Sequence, residues 1–148
     1  MRCQQKISAF AEVFCLSQGG LQKQNLIDFV CMNKQLQLVK EFHQKFLQPV
    51  QDTPSLIPSS RSENRYRLMS NEVDEYIDGV KNEDLVNIAK ELADILYATY
   101  GTIIEHGLQD RMEAIFEEVH RSNMSKDYHE YKMVKGDSYV KADVAHYL

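Results

Sequence analysis

The sequence predicts an all-α protein: a four-helix bundle-like domain followed by an irregular C-terminal tail. Three observations lead there. Apolar residues recur at helical rather than alternating spacing over most of the chain after residue 31. Only three prolines and six glycines interrupt 148 residues, too few for many short strands and their turns. A hydrophobic content of 43% beside 26% charged residues belongs to an ordinary globular chain with one modest core.

The same numbers exclude some classes. A net charge of −5 argues against a nucleic-acid surface, which would be basic. It leaves a small anionic substrate open, because a bound metal inverts the local field. No apolar run approaches the roughly 18 residues that span a membrane. Cys3, Cys15 and Cys31 form no C-x-x-C, so a structural zinc or redox pair is not expected and a reducing, cytoplasmic setting is. Residues 1–31 read as an N-terminal extension or helical arm, with Met32 as an alternative start. Glu12 interrupts the apolar stretch Ile7–Leu16, which speaks against a signal peptide.

Taken in order, the domain spans 32–148. Leu36, Val39, Phe42, His43, Phe46 and Leu47 share one side of a helix from Met32 to about Leu47. Phe42 and Phe46 read either as bundle core or as an aromatic wall for a planar base. His43 has no second histidine at i+4 to make a metal pair. Pro49, Pro54 and Pro58 make 48–60 a loop. Ser60 or Ser62 then caps a helix to about Lys81, whose stripe is Leu68, Met69, Val73, Tyr76, Ile77 and Val80. Glu72 and Glu75 lie on its flank, while Asp74 and Asp78 point to solvent. Asn82 caps a third helix that runs to about His106 and stops at Gly107. Asp110 caps a fourth helix ending near Asn123. The tail from Lys126 has weak periodicity, with room for a short strand or helical turn.

The chemistry lies between residues 72 and 94. Glu72 and Glu75, and then Glu91 and Asp94, are i, i+3 pairs, about 60° apart on a helix. If the two helices pack together, four carboxylates approach one place and repel unless a cation joins them. All-oxygen donors suit Mg²⁺, with Mn²⁺ as the alternative. From Leu92 to Ile104 Asp94 is the only charge, and it would be costly to bury unaccompanied. A Mg²⁺ so held takes phosphate oxygens as further ligands. His120, Arg121, Asn123, Ser125 and Lys126 stand ready as phosphate donors.

These motifs resemble a known superfamily. Glu72-Val-Asp-Glu75 followed by Glu91-Leu-Ala-Asp94-Ile-Leu-Tyr is similar to the E-x-x-E…E-x-x-D signature of the all-α nucleoside triphosphate pyrophosphohydrolases, which include MazG proteins, dimeric dUTPases and phosphoribosyl-ATP pyrophosphohydrolase. Val39-Lys-Glu-Phe-His43, the run from Phe116 to Lys126, and Val134–Tyr139 resemble further motifs of the phosphoribosyl-ATP pyrophosphohydrolase-like branch. The resemblance covers about residues 33–144. It implies a MazG-type fold completed by oligomerisation, as a homodimer or homotetramer. It also implies Mg²⁺-dependent cleavage of a nucleoside triphosphate between the α and β phosphates, in a housecleaning role on (deoxy)nucleotides. Glu72, Glu75, Glu91 and Asp94 would be metal-binding and catalytic, one of the glutamates, Glu75 being a candidate, holding or deprotonating the attacking water. Asn123, Lys126 and Lys135 would contact sugar or phosphate, and His43 and Phe46 the base. Two departures stand out. Close relatives often carry an acid where this chain has Asn71, and the family's tail prolines are replaced by Val140-Lys141.

Two other classes compete. A di-iron bundle needs two Glu-x-x-His motifs, and only Glu117–His120 supplies one. A non-catalytic nucleotide- or metal-binding module of the same fold is the reading that Asn71 favours.

Overall fold

The computed structural model describes residues 33–148. The expected arm over 1–31, and the choice of Met32 as a start, lie outside the described residues. Four helices follow in order: α1 (Lys34–Lys45), α2 (Ser59–Lys81), α3 (Leu85–Glu105) and α4 (Met112–Met124). The tail holds a two-stranded antiparallel hairpin, β1 (Asp127–His129) with β2 (Lys132–Val134), and a 3₁₀ turn at Val144–Tyr147. Both short elements allowed for in the tail are therefore present. No described helix is long and apolar enough to cross a membrane.

Capping differs from expectation at three places. Asn33 caps α1 by accepting from the Gln35 amide at 2.9 Å. α2 begins after Pro58, whose fixed φ suits a helix entrance, and neither Ser60 nor Ser62 caps it. Asn82 ends α2 instead of opening α3; Asp84 opens α3, its Oδ1 accepting from Val86 and Asn87 amides at 3.0 Å each. Asp110 is not the α4 cap either; Arg111 holds that position.

The first three helices end in the same two-bond turn. Leu47, Glu83 and Gly107 adopt left-handed φ of 52°, 54° and 68°. Each amide bonds the carbonyl three residues back, and the next amide bonds the one five back. Only Gly107 carries no steric cost there. The sequence signal, a glycine, was present at one end of three.

α3 is the central helix. It packs along α2 and α1, whereas α4 packs with the C-terminal 3₁₀ turn. α4 completes the set of four helices: Met112 borders the core and Ile115 is buried one turn further along. That core is small: Leu36, Val39, Ile103 and Ile104, bordered by Val50, Tyr100, Leu108 and Met112.

α2 and α3 run antiparallel in a register fixed by polar side chains. The Arg61 guanidinium forks onto the fully buried Glu105 carboxylate. Arg65, also buried, donates from Nε to Thr102 Oγ1 at 3.1 Å and from Nη2 to the Ala98 carbonyl. Further along, Met69 Sδ lies 4.0 and 3.9 Å from the Thr99 and Thr102 hydroxyl oxygens, and Gly79 lies against Ile88. Gly101 permits the tightest approach: a Cβ there would fall 2.4 Å from Arg65 Nη2 and 2.9 Å from His43 Nε2.

One expectation is met only in part: of the predicted α2 stripe, Met69 and Tyr76 face α3. The side of α2 that meets α3 is Arg65, Met69, Glu72, Tyr76 and Gly79, none of them exposed. The predicted stripe residues Val73, Ile77 and Val80 face outward, 43–46% exposed. Glu72 of the acidic flank turns inward and Glu75 stays exposed, in the rotation that the Arg61 and Arg65 contacts hold.

The tail is pinned to α4 by Glu118, whose carboxylate takes a fork from Arg121 at 2.7 and 2.6 Å and the Asp143 amide at 2.8 Å. The Arg121 guanidinium first, then the Asp143 N–H, holds its pKa down to about 2.

Two predictions follow from the helix ends and the tail. Glu83→Gly should stabilise the protein by about 0.5–1 kcal/mol, by removing the left-handed strain, and urea unfolding measures it. Because Glu118 is depressed below the ordinary 4.5, its stabilisation is complete above that pH and is lost as pH falls towards 2. The protection of the Asp143 amide, relative to the intrinsic exchange rate at each pH, should therefore fall across that window, and Glu118→Gln should show the low protection already at neutral pH.

Candidate functional site

The antiparallel register brings the acids together. Arg65 opposite Thr102 fixes Glu72 of α2 opposite Glu91 and Asp94 of α3. One carboxylate oxygen from each of these three lies within 4.8 Å of the others. Their i, i+3 relation on α3 puts Glu91 and Asp94 on the same side of that helix. Glu75 sits one turn from Glu72 but is exposed and stands outside this group of three. It still acts on Glu72 through space.

The burden of burial falls on a different acid than expected. Glu91 is 2% exposed, whereas the Asp94 side chain is 41% exposed. Asp94 reaches the mouth of the cluster, so the apolar residues around it in sequence do not enclose it. Glu91 points into the α2–α3 seam.

Charge crowding is evident at Glu72. Its pKa is raised, first by burial and then by Glu75, Asp94 and Glu91. Among the described residues a single cation offsets the crowd. Lys90 Nζ lies 3.0 and 3.1 Å from the two oxygens of Glu91 and 2.9 Å from Asp94 Oδ2. Those bonds, to Asp94 first and Glu91 second, raise the lysine pKa further. A place that accepts an ammonium between two carboxylates, with a third alongside, also suits a divalent cation. Among the described residues the donors are all carboxylate oxygens, which fits Mg²⁺ or Mn²⁺ and not a soft metal.

Next to the acids is a cavity of about 470 Å³ lined by Phe42, His43, Phe46, Gln48, Asn64, Arg65, Leu68, Glu72, Asp94, Tyr97 and Ala98. Its far wall is aromatic. Phe42 packs against Phe46 with ring centroids 4.7 Å apart and meets Tyr97 edge-on at 5.5 Å. Phe42 and Phe46 are 42% and 52% exposed, so they are wall rather than core. His43 is buried, and its Nδ1 donates to the Pro49 carbonyl at 2.8 Å, which fixes the ring. Burial raises the Tyr97 pKa. An apolar cavity with aromatic faces and a carboxylate cluster at one end has the makings of a site for a planar group joined to a polyphosphate.

Gln48, Asn64, Arg65 and Tyr97 line this cavity and were not foreseen. Tyr97 carried a signal: it stands three residues after Asp94, on the same side of α3. Arg61 and Arg65, at i, i+4 opposite a lone Glu105 near the end of an apolar helix, also carried one. Gln48 carried none.

The expected phosphate donors lie elsewhere in the chain. Lys126, Lys135 and Tyr139 gather beside α4. The Lys135 ammonium sits 5.0 Å from the Tyr139 ring centre, and the Tyr139 pKa is lowered by a hydrogen bond with Ser122 and by the two lysines. Asn123 is exposed nearby. None of Asn123, Lys126 and Lys135 lines the cavity. Arg121 is engaged by Glu118, and Ser125 bonds the Ser122 carbonyl and the Val140 amide.

Since burial and then the neighbouring carboxylates disfavour the ionised Glu72, Glu72→Gln should raise the unfolding midpoint of the metal-free protein at neutral pH. Thermal unfolding in chelator would show it; a lower midpoint than wild type would contradict the crowding.

Compared with known families, residues 39–123 match the model described as phosphoribosyl-ATP pyrophosphohydrolase. That span is more than half of the chain and contains all four acids and the aromatic wall, and the chain belongs to this family. No curated protein matches.

Proposed function

We propose, from membership of the phosphoribosyl-ATP pyrophosphohydrolase family, that this protein is a Mg²⁺-dependent nucleoside triphosphate pyrophosphohydrolase. Membership by itself points to pyrophosphohydrolase chemistry on a nucleotide-like substrate. The finer reading is carried by one observation: Glu72, Glu91 and Asp94 converge at the end of an aromatic-walled cavity.

In this reading water adds across the anhydride between the α and β phosphorus atoms, giving a nucleoside monophosphate and pyrophosphate. Phe42, Phe46 and Tyr97 hold the base by stacking and keep water from that end of the cavity. Glu72, Glu91 and Asp94 would hold Mg²⁺, with Mn²⁺ as the alternative. The bound ion supplies charge neutralisation on the phosphates and a lowered pKa for a coordinated water. Glu75, exposed beside Glu72, is free to orient the attacking water or take its proton. Arg61, Arg65 and Glu105 keep α2 and α3 in the register that lets the three acids meet.

Asn123, Lys126 and Lys135 would contribute phosphate contacts from a second copy of the chain. Support for a homodimer or homotetramer comes from the outward faces of α2 and α3, where Val73, Ile77, Leu92 and Leu96 are each 43–53% exposed. α4, not packed along α2 or α3 of its own chain, would be available to the partner. The setting we infer is cytoplasmic, on the cysteine pattern.

Housecleaning of (deoxy)nucleotides is the favoured role. Phosphoribosyl-ATP is the second reading, favoured by the family's description. A non-catalytic module is the third, favoured by Asn71 in place of an acid.

A panel of nucleoside triphosphates plus phosphoribosyl-ATP, assayed with Mg²⁺ for pyrophosphate and monophosphate, separates these. Turnover of at least one member is expected; release of orthophosphate alone, or no turnover with metal bound, contradicts the proposal. Asp94→Asn should reduce kcat/KM by about 100-fold or more, equivalent to about 2.7 kcal/mol. Asp74→Asn, exposed and off the cluster, should stay within about twofold.

A further inference from the structure

Lys90 is the part of this site that neither the sequence motif nor the family match explains. It precedes Glu91, and its side chain is 60% exposed, yet its ammonium reaches back over both Glu91 and Asp94. Among the described residues it is the one cation bonded to either carboxylate. A buried Glu91 with no partner would be costly, and the register leaves no other cation in place for it. Arg61 and Arg65 are committed to Glu105, Thr102 and the Ala98 carbonyl. The lysine stem is flexible and open to solvent, so the ammonium can withdraw without disturbing the helix.

We infer that Lys90 is an exchangeable counter-ion of the carboxylate cluster, occupying it when no metal is bound and yielding it to a divalent cation. This rests on the metal-binding reading of Glu72, Glu91 and Asp94. The ammonium already takes both Glu91 oxygens and one Asp94 oxygen, so a metal that draws on Glu91 competes with it directly. The lysine therefore lowers apparent metal affinity while keeping the metal-free α2–α3 seam intact.

The test uses the full chain and Mn²⁺ as probe. Mn²⁺ affinity is measured by calorimetry and by electron paramagnetic resonance for wild type, Lys90→Gln and Lys81→Gln. Thermal midpoints are recorded with chelator and with saturating Mn²⁺. Lys81 bonds Asp78, away from the cluster, and serves as a control for the loss of one positive charge. Lys90→Gln should bind Mn²⁺ at least threefold tighter, and Lys81→Gln should stay within about twofold of wild type. In chelator Lys90→Gln should melt below wild type, and Mn²⁺ should raise its midpoint more than it raises that of wild type. Equal or weaker binding by Lys90→Gln, or an equal gain in Lys81→Gln, overturns the inference while leaving the metal site standing. Failure of the wild type itself to bind Mn²⁺ overturns the metal reading, and this inference with it.

Discussion

The structure depends on the pairing of Arg61 and Arg65 of α2 with the buried Glu105 and neighbouring oxygens of α3. Glu105 has no exposure at all, so its charge must be met inside the protein. Meeting it fixes both the axial register and the rotation of α2 against α3. One helical repeat further along, that register sets Glu72 beside Glu91 and Asp94. Gly101 allows the arginine and His43 to lie close above α3. A buried ion pair of this kind contributes specificity of arrangement more than net stability, because desolvation offsets the attraction. Here the arrangement it specifies is the candidate site.

The two polar regions of the α2–α3 seam are electrostatic opposites. At one end two guanidiniums meet one carboxylate. At the other, three carboxylates meet one ammonium, with Glu75 adding to the repulsion. The first region is satisfied by the chain alone. The second is short of positive charge, and the protein tolerates the deficit in a place that opens to a cavity. Stability given up at one end of a seam and secured at the other is the pattern expected where a site must remain receptive to a ligand.

Much of this was legible in the residues. Prolines at 49, 54 and 58 and Gly107 bounded the loop and the end of α3, and the i, i+3 acids were found from spacing alone. What escaped was set by tertiary geometry. Asp94 stood out as the lone charge of an apolar run, but Glu91 is the buried acid, since α3 turns Leu92 and Leu96 outward. The apolar stripe of α2 suggested its packing face, but of that stripe Met69 and Tyr76 face α3 while Val73, Ile77 and Val80 turn outward. Leu47 and Glu83 end helices in a conformation that glycine usually signals. Phe42 and Phe46 obey core periodicity, yet they wall a cavity because no described helix covers that side. α4 is the fourth helix that the spacing predicts, but that it also carries the tail is something periodicity within one helix has no means of revealing.

The central claim is that the register of α2 and α3 builds a divalent-cation site from Glu72, Glu91 and Asp94. Anomalous diffraction from crystals grown with Mn²⁺ tests it most directly. The account predicts an anomalous peak bounded by those three carboxylates, with the Lys90 ammonium displaced from Glu91 and Asp94. A well-ordered cluster with Lys90 still in place and no peak, or a peak held by other residues, would contradict it.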